Sequence, residues 1–446
     1  MDKVERFLLF ETNNRLFDIV DRQGLRPWDA IRYYVLMNII RTENVSDSTN
    51  KDFKEVLKIW YTIKRFFFFI YYLLRHRKKD KLFLLCSRDK NNGVYYDKIS
   101  DSVYEIADKK KCFTIETTDN YLQSTYKYGK DVCPSVSNVF VRLSHKKFDF
   151  QYIYGLIREE FPHATITVEE MNHYYNYFIG QYKFYSLLFS LTSLQKVYFV
   201  QNSIQKGLIA AANVKGITLY EFQHGQISRN HPAYSYPMHE SISPDVVYHP
   251  DYLLTFGEFW SKNRHYPGTT NIVIGNATYA EKVDSPDINS NGKFLVISNN
   301  VEGSLLAKRI KEILKRNTNF FFFFKLHPNQ FREYEHYKTI FEGEKRVEVV
   351  SNQQTINNLL SECEAILLND STVELEALRL GKKVFVLKEQ CYEEMDFVFG
   401  EEGVFPCNDV DDFLKQYEMH KEEKLMPRND LFVPFKEEVA KQILMM

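Results

Sequence analysis

Five consecutive phenylalanines, residues 320–324, directly precede Lys-Leu-His-Pro, and this run restricts the fold more than any other stretch. An apolar run without polar alternation predicts a strand that is buried on both faces, as in the centre of a parallel sheet. Lys325 and His327 then fall at the carboxyl end of that strand, and Pro328 ends it. Because ligands of open parallel sheets bind at these ends, the pattern predicts an anion-binding site. The alternative is a surface turn that contains a histidine by chance.

Short apolar runs alternate with helical segments along most of the chain after residue 80. The runs at 196–200 and 217–222 enclose a helix that should end at Gly216, which makes a βαβ unit and implies a parallel sheet. Five more strand-like runs follow the polar segment 281–293, which has the composition of a linker. The sequence therefore predicts an α/β protein with two Rossmann-like parallel-sheet domains and a ligand cleft between them.

The length of 446 residues agrees with two domains. We expect a helical N-terminal region at 1–80, a first α/β domain at 81–280, a second α/β domain at 288–430 and a terminal helix at 433–446.

The composition excludes some functions. The net charge of −1 gives no indication of nucleic-acid binding. The six cysteines are scattered without a CxxC or zinc-like spacing, which suits a reducing compartment, and the N-terminus lacks the apolar core of a signal peptide. We therefore expect a cytoplasmic protein.

The segment 60–81 contains nine consecutive apolar or aromatic residues, 66–74, between clusters of lysine and arginine. Nine residues are too few to cross a bilayer, which requires about 20. A basic-flanked aromatic segment can instead lie at the surface of an anionic membrane, so peripheral contact at the inner face of the cell membrane is one expectation. A core helix with solvated ends is the other.

Two further polar clusters lie at predicted strand ends. In the second domain, Ser371 and Thr372 begin a helix after a buried run, and Glu376 lies one turn further on. An ordinary capped helix would show the same pattern. In the first domain a strand ends before Gln223, His224 and Gly225, where the glycine would permit a sharp turn and the histidine could act as a general base. The loop that follows adds three candidate ligand-binding residues, Arg229, His231 and Tyr234.

Taken together, these elements resemble bacterial glycosyltransferases with the GT-B fold. KLHP (325–328) and NDSTVELEAL (369–378) are similar to the HP and Ser-Ser/Thr motifs of sialyl- and polysialyltransferases and of capsule Kdo transferases. QHG (223–225) resembles the HG loop of the polyol-phosphate transferases of teichoic acid synthesis. The resemblance covers about residues 196–390 and hardly extends to the first 190.

The resemblance implies that the domain at 288–430 binds a nucleotide-sugar donor, with a CMP-sugar favoured, without a cofactor. It implies that the domain at 81–280 binds a surface-polysaccharide or lipid-linked glycan acceptor, near Gln223, Gly225, Arg229, His231 and Tyr234. His327, Ser371 and Thr372 would hold the donor phosphate, next to Lys325 and Pro328, and Glu376 would reach the ribose. His224 would deprotonate the acceptor hydroxyl. We expect no metal requirement, because the one Asp-x-Asp considered, Asp409 and Asp411, precedes a helix and reads as its cap.

One departure leaves the catalytic base open. Sialyl- and polysialyltransferases carry an acidic pair before the glycine where this chain has Gln223 and His224. The base is therefore His224 or a nearby carboxylate, Glu221 or Asp251. The alternative functions are a CDP-polyol phosphotransferase, a nucleotide-sugar epimerase on the same architecture and a non-catalytic polysaccharide-binding protein.

Overall fold

The chain forms two compact α/β units. The first comprises Met1–Phe256, Trp260–Thr278 and Phe435–Met446, and the second comprises Gly257–Phe259 and Tyr279–Pro434. The computed structural model describes residues 3–40, 55–91, 93–118, 125–129, 132–228, 231–238, 241–262, 266–277, 292–299, 302–317, 319–369, 371–388 and 396–446.

The described residues of the first unit form ten strands, of which seven make up its main sheet. The strands are β1 (Lys81–Leu85), β2 (Asp89–Asn91), β3 (Val94–Tyr96), β4 (Cys112–Glu116), β5 (Thr125–Tyr126), β6 (Cys133–Pro134), β7 (Lys196–Val200), β8 (Thr218–Phe222), β9 (Tyr252–Thr255) and β10 (Thr270–Val273). The main sheet is parallel, in the order β10-β9-β8-β7-β1-β4-β6, and β2, β3 and β5 form a small separate sheet.

Helices cover both faces of this sheet. The helices described up to residue 215 are α1 (Lys3–Asn13), α2 (Pro27–Ile40), α3 (Glu55–His76), α4 (Asp101–Ile106), α5 (Ser137–Arg142), α6 (Gln151–Glu160), α7 (Val168–Leu191) and α8 (Lys206–Lys215). On one face, α3, α7 and α8 pack on the strands. On the other, aromatic rings stack across four neighbouring strands, with centroid distances of 4.5 Å for Phe83–Tyr198, 4.8 Å for Tyr198–Tyr220 and 4.9 Å for Tyr220–Tyr252.

In the second unit, the described residues form a parallel sheet of six strands between helices. Its strands are β11 (Lys293–Ile297), β12 (Phe321–Lys325), β13 (Val347–Val350), β14 (Ala365–Leu368), β15 (Lys383–Leu387) and β16 (Val404–Cys407), and the chain also forms α9 (Phe259–Lys262), α10 (Gly303–Arg316), α11 (Tyr334–Ile340), α12 (Ile356–Glu362), α13 (Val373–Arg379) and α14 (Val410–His420). The order β13-β12-β11-β14-β15-β16 reverses direction between β11 and β14. Ligands of such sheets bind at this switch point.

The structure confirms the predicted fold class of two parallel-sheet α/β domains with a helical N-terminal region. The phenylalanine run is a buried strand: Phe322, Phe323 and Phe324 are almost completely inaccessible, and β12 pairs with β11 and β13. The helix predicted to end at Gly216 does so, with that residue in the left-handed region at φ 65°. The predicted linker up to residue 291 lies outside the described residues.

Some features differ from the sequence expectation. The second sheet has a sixth strand, β16, and the first unit carries the small antiparallel and parallel pairing of β2, β3 and β5. The predicted terminal helix is present as α15 (Glu437–Met445), and its apolar residues Ala440, Ile443 and Leu444 belong to the same buried cluster as Phe83. Within the described residues, no helix has the length and apolar character needed to cross a membrane.

Candidate functional site

His327 occupies the carboxyl end of β12 and begins a short 3₁₀ helix, Pro328–Glu333. Its Nδ1 accepts a hydrogen bond of 3.2 Å from the Asn329 N–H, and the Gln330 side chain accepts one of 3.3 Å from the His327 N–H. Burial lowers the pKa of the half-buried imidazole, which favours the neutral ring. Because Nδ1 is the acceptor, the proton resides on Nε2, so Nε2–H is available to an anionic ligand.

A buried polar group supports this cap. Gln330 accepts a hydrogen bond of 2.8 Å from the Ser298 hydroxyl at the end of β11, and its amide donates to the Tyr337 hydroxyl at 2.8 Å. Gly303, the first residue of α10, packs against all three, and a Cβ there would overlap both hydroxyls and the amide. Sequence reasoning missed this group, because nothing in the helical pattern distinguishes Gly303 from an ordinary glycine.

Gly303→Ala should therefore lower the free energy of unfolding by about 1–3 kcal/mol, since the methyl group has no space. Gly225→Ala is the matched control. Gly225 does not have a positive φ, and a Cβ there would meet no atom within 4 Å, so its replacement should change stability by no more than about 0.5–1 kcal/mol. Chemical denaturation of the two variants compares them, and equal losses would contradict the close-packing argument. The sharp turn expected at Gly225 does not require glycine.

The side chain of Lys325 faces away from solvent. It is buried, its ammonium donates to the backbone carbonyls of Ser351 and Gln354, the latter at 3.1 Å, and it lies 5.4 Å from the centroid of the Phe331 ring. Burial lowers its pKa. We expected Lys325 to contact a phosphate directly, and in this conformation it does not face a ligand. Its ammonium group instead ties β12 to the turn after β13.

Ser371 and Thr372 precede α13 as predicted. The Ser371 hydroxyl accepts a hydrogen bond of 3.3 Å from the Val373 N–H, Thr372 is exposed, and Glu376 is half-buried. Asp370 lies outside the described residues. The β14 end also contacts the start of α10, where the Asn369 amide donates to the Glu302 carboxylate at 2.9 Å.

The strand order sets the spacing of these groups. His327 follows β12 and Ser371 follows β14, which are the two neighbours of β11. Strands two positions apart in a sheet are separated by about 10 Å. The structure thus places both predicted donor-binding segments around the switch point of the second unit.

In the first unit, His224 follows β8 and is exposed. Its Nε2 lies 3.0 Å from the Gln201 amide nitrogen, and the Gln201 oxygen accepts a 3.5 Å hydrogen bond from Arg88. Surrounding protein lowers the pKa of His224, and the Arg88 cation acts in the same direction. Gln201 has φ 62°, in the left-handed region that residues other than glycine rarely adopt. Backbone outliers of this kind concentrate at functional sites.

Two of the other predicted acceptor residues are buried beneath the loop. Gln223 is buried and ties two strand ends together, accepting from the Phe256 N–H and donating to the Gly225 carbonyl, each at 2.8 Å. Tyr234 is also buried, and its hydroxyl donates to Glu221 at 3.0 Å. Neither side chain reaches solvent, so both hold the loop in place. His231 is half-buried, and Arg229 lies outside the described residues.

The two carboxylates considered as alternative bases lie elsewhere. Glu221 is completely buried and accepts from the Asn202 N–H at 3.0 Å and from the Asn202 amide at 2.9 Å, and burial raises its pKa. Asp251 precedes β9 and accepts from the Leu219 N–H at 2.7 Å, near the start of β8. Because β8 and β9 are parallel, Asp251 lies at the sheet edge opposite His224.

The Asp409 carboxylate caps α14 as predicted, accepting a hydrogen bond of 2.9 Å from the Asp412 N–H. Among the residues that the structure describes, no group of three or more His, Cys, Asp or Glu side chains is arranged to hold a metal ion.

A cavity of about 300 Å³ opens at the carboxyl ends of β1, β4, β6 and β7. Its lining includes Arg65 from α3, Arg88 after β1, Thr117 after β4, Ser135 after β6 and Gln201 after β7. Sequence reasoning missed this cavity, because its lining combines one to four residues from each of six separated segments, including α7, and none of these segments forms a motif.

Helix α3 is apolar on two faces. Phe69, Tyr72 and Leu73 are buried against the sheet. The other face carries an exposed stripe, which we define by six side chains: Ile63, Phe66, Phe67, Ile70, Tyr71 and Leu74. Phe67 is 69% exposed, Tyr71 58% and Leu74 64%. A contiguous apolar surface of this kind is typical of a binding surface.

No family model and no curated protein matches the chain. Solved structures similar to it include two glycosyltransferases and several nucleotide-sugar epimerases. MurG of Acinetobacter baumannii has 9% identity and a TM-score of 0.47, and the superposition covers 82% of this chain and 100% of MurG. The lipopolysaccharide outer core galactosyltransferase WaaB has 14% identity and a TM-score of 0.46, with 82% and 97% covered. The UDP-GlcNAc 2-epimerase of Methanocaldococcus jannaschii has 14% identity and a TM-score of 0.45, with 82% and 98% covered.

Proposed function

We propose that this protein is a metal-independent glycosyltransferase of the GT-B type. It would transfer a sugar from a nucleotide-activated donor, a CMP-sugar by the motif resemblance, to a surface-polysaccharide or lipid-linked glycan. The observation that carries the proposal is the His327 cap, which leaves a neutral Nε2–H donor at the carboxyl end of β12, beside the switch point of the sheet. Donor recognition by a fixed N–H requires no reorganisation when charge develops on the leaving phosphate.

The remaining roles follow from the chemistry of the transfer. The leaving nucleotide gains negative charge on its phosphate oxygens, where His327 and the Ser371 and Thr372 hydroxyls donate hydrogen bonds. Glu376 accepts from the ribose hydroxyls. On the acceptor side, His224 removes the proton of the attacking hydroxyl, which typically contributes about 10²–10⁴ in rate.

Thermal stabilisation by CMP, CDP, UDP and GDP tests the donor site. A nucleotide at about 100 times its Kd adds about 2.7 kcal/mol to the folded state, so we expect a clear rise in Tm with CMP. The rise should be lost in His327→Ala and retained in His336→Ala, which removes an exposed histidine of the same unit. A CDP-selective rise would indicate polyol-phosphate transfer, and a UDP-selective rise a hexose donor or an epimerase. No rise with any nucleotide would contradict the proposal and favour a non-catalytic protein.

The exposed stripe of α3 supports peripheral contact with the inner face of the cell membrane. Lys64, Arg75, Arg77 and Lys78 are all exposed near the stripe and bring positive charge beside the aromatic rings. Aromatic side chains enter the headgroup region while cations pair with anionic lipids, at about 1 kcal/mol for each cation near the surface. An anionic lipid surface is therefore the partner that we propose for this face, where a lipid-linked acceptor would also reside.

Vesicle flotation tests this contact. The protein should float with vesicles that contain phosphatidylglycerol and much less with vesicles of phosphatidylcholine alone. The double variant Phe67→Glu and Tyr71→Glu should remain in the soluble fraction, because it places two anions in the stripe. Val214→Glu changes a similarly exposed apolar residue on α8 and should float as the unmodified protein does. Flotation of the double variant would show that the stripe does not bind lipid.

A further inference from the structure

The cavity at the carboxyl ends of β1, β4, β6 and β7 has the properties of a binding site. It lies within the first unit, at the sheet edge where parallel α/β proteins bind ligands. Its volume of about 300 Å³ is near the lower end of known ligand sites, about 300–1,000 Å³. It therefore suits one sugar or a group of similar size and is too small for a complete nucleotide-sugar.

The charge of the lining selects the ligand. Arg65 and Arg88 both line the cavity, and none of the side chains found in its described lining is a carboxylate. Two buried acids contact residues of the lining and are already hydrogen-bonded. Glu116 accepts from the Ser87 and Thr118 hydroxyls, at 2.7 and 2.9 Å, and Asp97 accepts from the Cys86 N–H and the Ser100 hydroxyl, at 2.9 and 2.7 Å. Two guanidinium groups without an acid in the lining attract a carboxylate or a phosphate.

The two arginines are held differently. Arg65 donates to the Ser135 carbonyl at 2.9 Å and is half-buried, so its position is fixed by the β6 end. Arg88 is exposed. Among the described residues, its guanidinium donates a hydrogen bond of 3.5 Å to the Gln201 side-chain oxygen. Such a long hydrogen bond is weak, so an anion can take its place at little cost.

The neutral part of the lining suits a hydroxylated ligand. Thr117, Thr118, Ser137 and Asn138 supply hydroxyl and amide groups, and Tyr177 supplies an aromatic ring. The Thr117 and Thr118 hydroxyls donate to the Leu85 carbonyl and the Glu116 carboxylate, each at 2.9 Å, so toward a ligand their oxygens accept hydrogen bonds from sugar hydroxyls. The Asn138 amide can both donate and accept. Through Gln201 the cavity also connects to His224, the proposed base, at 3.0 Å.

We propose that this cavity binds a hydroxylated anion, either an acidic sugar through its carboxylate or a sugar phosphate, as the anionic end of the acceptor. That the anion is part of the acceptor rests on the proposed glycosyltransferase function. Binding of the anion itself does not depend on that function. Arg88 and Arg65 hold the anion, and the hydroxyls beside it hydrogen-bond to the sugar. A hydroxyl of the bound sugar is then directed to His224.

Binding measurements without any donor test the site. Glucuronate and glucose 6-phosphate are the two anionic probes, and glucose is the neutral control. We expect saturable binding of at least one anion by calorimetry and none of glucose at the same concentration. Preference for glucuronate would identify an acidic sugar as the ligand, and preference for glucose 6-phosphate a phosphate. Arg88→Gln should weaken anion binding about tenfold or more, while Arg22→Gln, at an exposed arginine of the same unit, should bind unchanged.

The result separates this site from the donor site. Arg88→Gln should keep the Tm increase with CMP, because Arg88 belongs to the first unit. Failure of all nucleotides to bind, together with Arg88-dependent anion binding, would overturn the proposed function and leave the anion site standing. Equal binding of glucose and the anions, unchanged binding in Arg88→Gln, or no anion binding would each overturn the anion site.

Discussion

Replacing Arg32 by methionine should lower the free energy of unfolding by about 3–5 kcal/mol. Arg32 and Glu11 form an almost completely buried ion pair between α2 and α1, with nitrogen–oxygen distances of 2.6 and 2.9 Å. The guanidinium also donates to the Ser235 carbonyl at 2.8 Å and lies 4.1 Å from the centroid of the Tyr236 ring. Without Arg32, the Glu11 carboxylate remains buried with Trp28 as its donor, at 2.8 Å.

The double variant Arg32→Met and Glu11→Gln provides the control. It removes both charges and keeps an acceptor for Trp28, so it should be more stable than Arg32→Met by more than about 1 kcal/mol. Urea denaturation measures both differences. A double variant no more stable than Arg32→Met would mean that the loss comes from packing around Tyr236 and not from the stranded charge.

The pH dependence gives a second readout for the same pair. Burial raises the pKa of Glu11 above its usual 4.5, and Arg32 opposes that rise. In Arg32→Met the pKa of Glu11 rises further. A carboxyl whose folded pKa is raised costs stability once the pH exceeds its unfolded pKa, so the deficit of the variant should be largest at about pH 7 and smaller at about pH 5. An equal deficit at both pH values would argue against a buried carboxylate.

This ion pair belongs to a network that the sequence does not reveal. Lys206 donates to the Tyr236 hydroxyl at 2.7 Å, and that hydroxyl donates to Asp29 at 3.0 Å, all of them buried. Charged residues are usually exposed, so a sequence pattern places them on helix surfaces. Only the packing of α1 and α2 on the loop at 231–236 makes them internal. The dense His, Arg and Tyr content of that loop indicated a ligand site, and for Tyr234 and Tyr236 the structure shows hydrogen-bonded burial.

The parts that were predictable depend on local patterns. Apolar runs of four or five residues gave the central strands, because strands buried on both faces need no polar alternation. Strand ends then placed His224 and His327 correctly at carboxyl edges of sheets. What local pattern does not determine is side-chain direction, as Lys325 shows: its position was predicted, but its ammonium binds two backbone carbonyls. The cavity was equally out of reach, since Arg65 and Gln201 are 136 positions apart in the chain and meet only through the sheet order.

His224→Gln should lower kcat by about 10²–10⁴ if His224 is the base of the proposed transfer. Glutamine keeps a polar group of similar reach but cannot accept the proton. His145→Gln, at an exposed histidine of the same unit, is the control and should retain the unmodified kcat. Steady-state rates with the donor identified by nucleotide binding measure the effect. A decrease of less than about threefold would require another base, and the burial of Glu221 and the opposite-edge position of Asp251 make both carboxylates poor substitutes.

The pH profile tests how the site tunes this base. Arg88 can only donate, so its contact with the Gln201 oxygen leaves the Gln201 amide nitrogen to donate to His224 Nε2. His224 is then neutral, with its proton on Nδ1, and an acceptor hydroxyl that replaces the Gln201 amide meets the Nε2 lone pair. Surrounding protein and the Arg88 cation both lower the pKa of His224 below its usual 6.5, so kcat/KM should fall only below that pH. Arg88→Gln removes the cation and should move this decrease to higher pH, whereas Arg22→Gln should leave it in place. If Arg88→Gln leaves the pH profile unchanged, Arg88 does not act on the catalytic base, because a cation next to the imidazole must disfavour its protonated form.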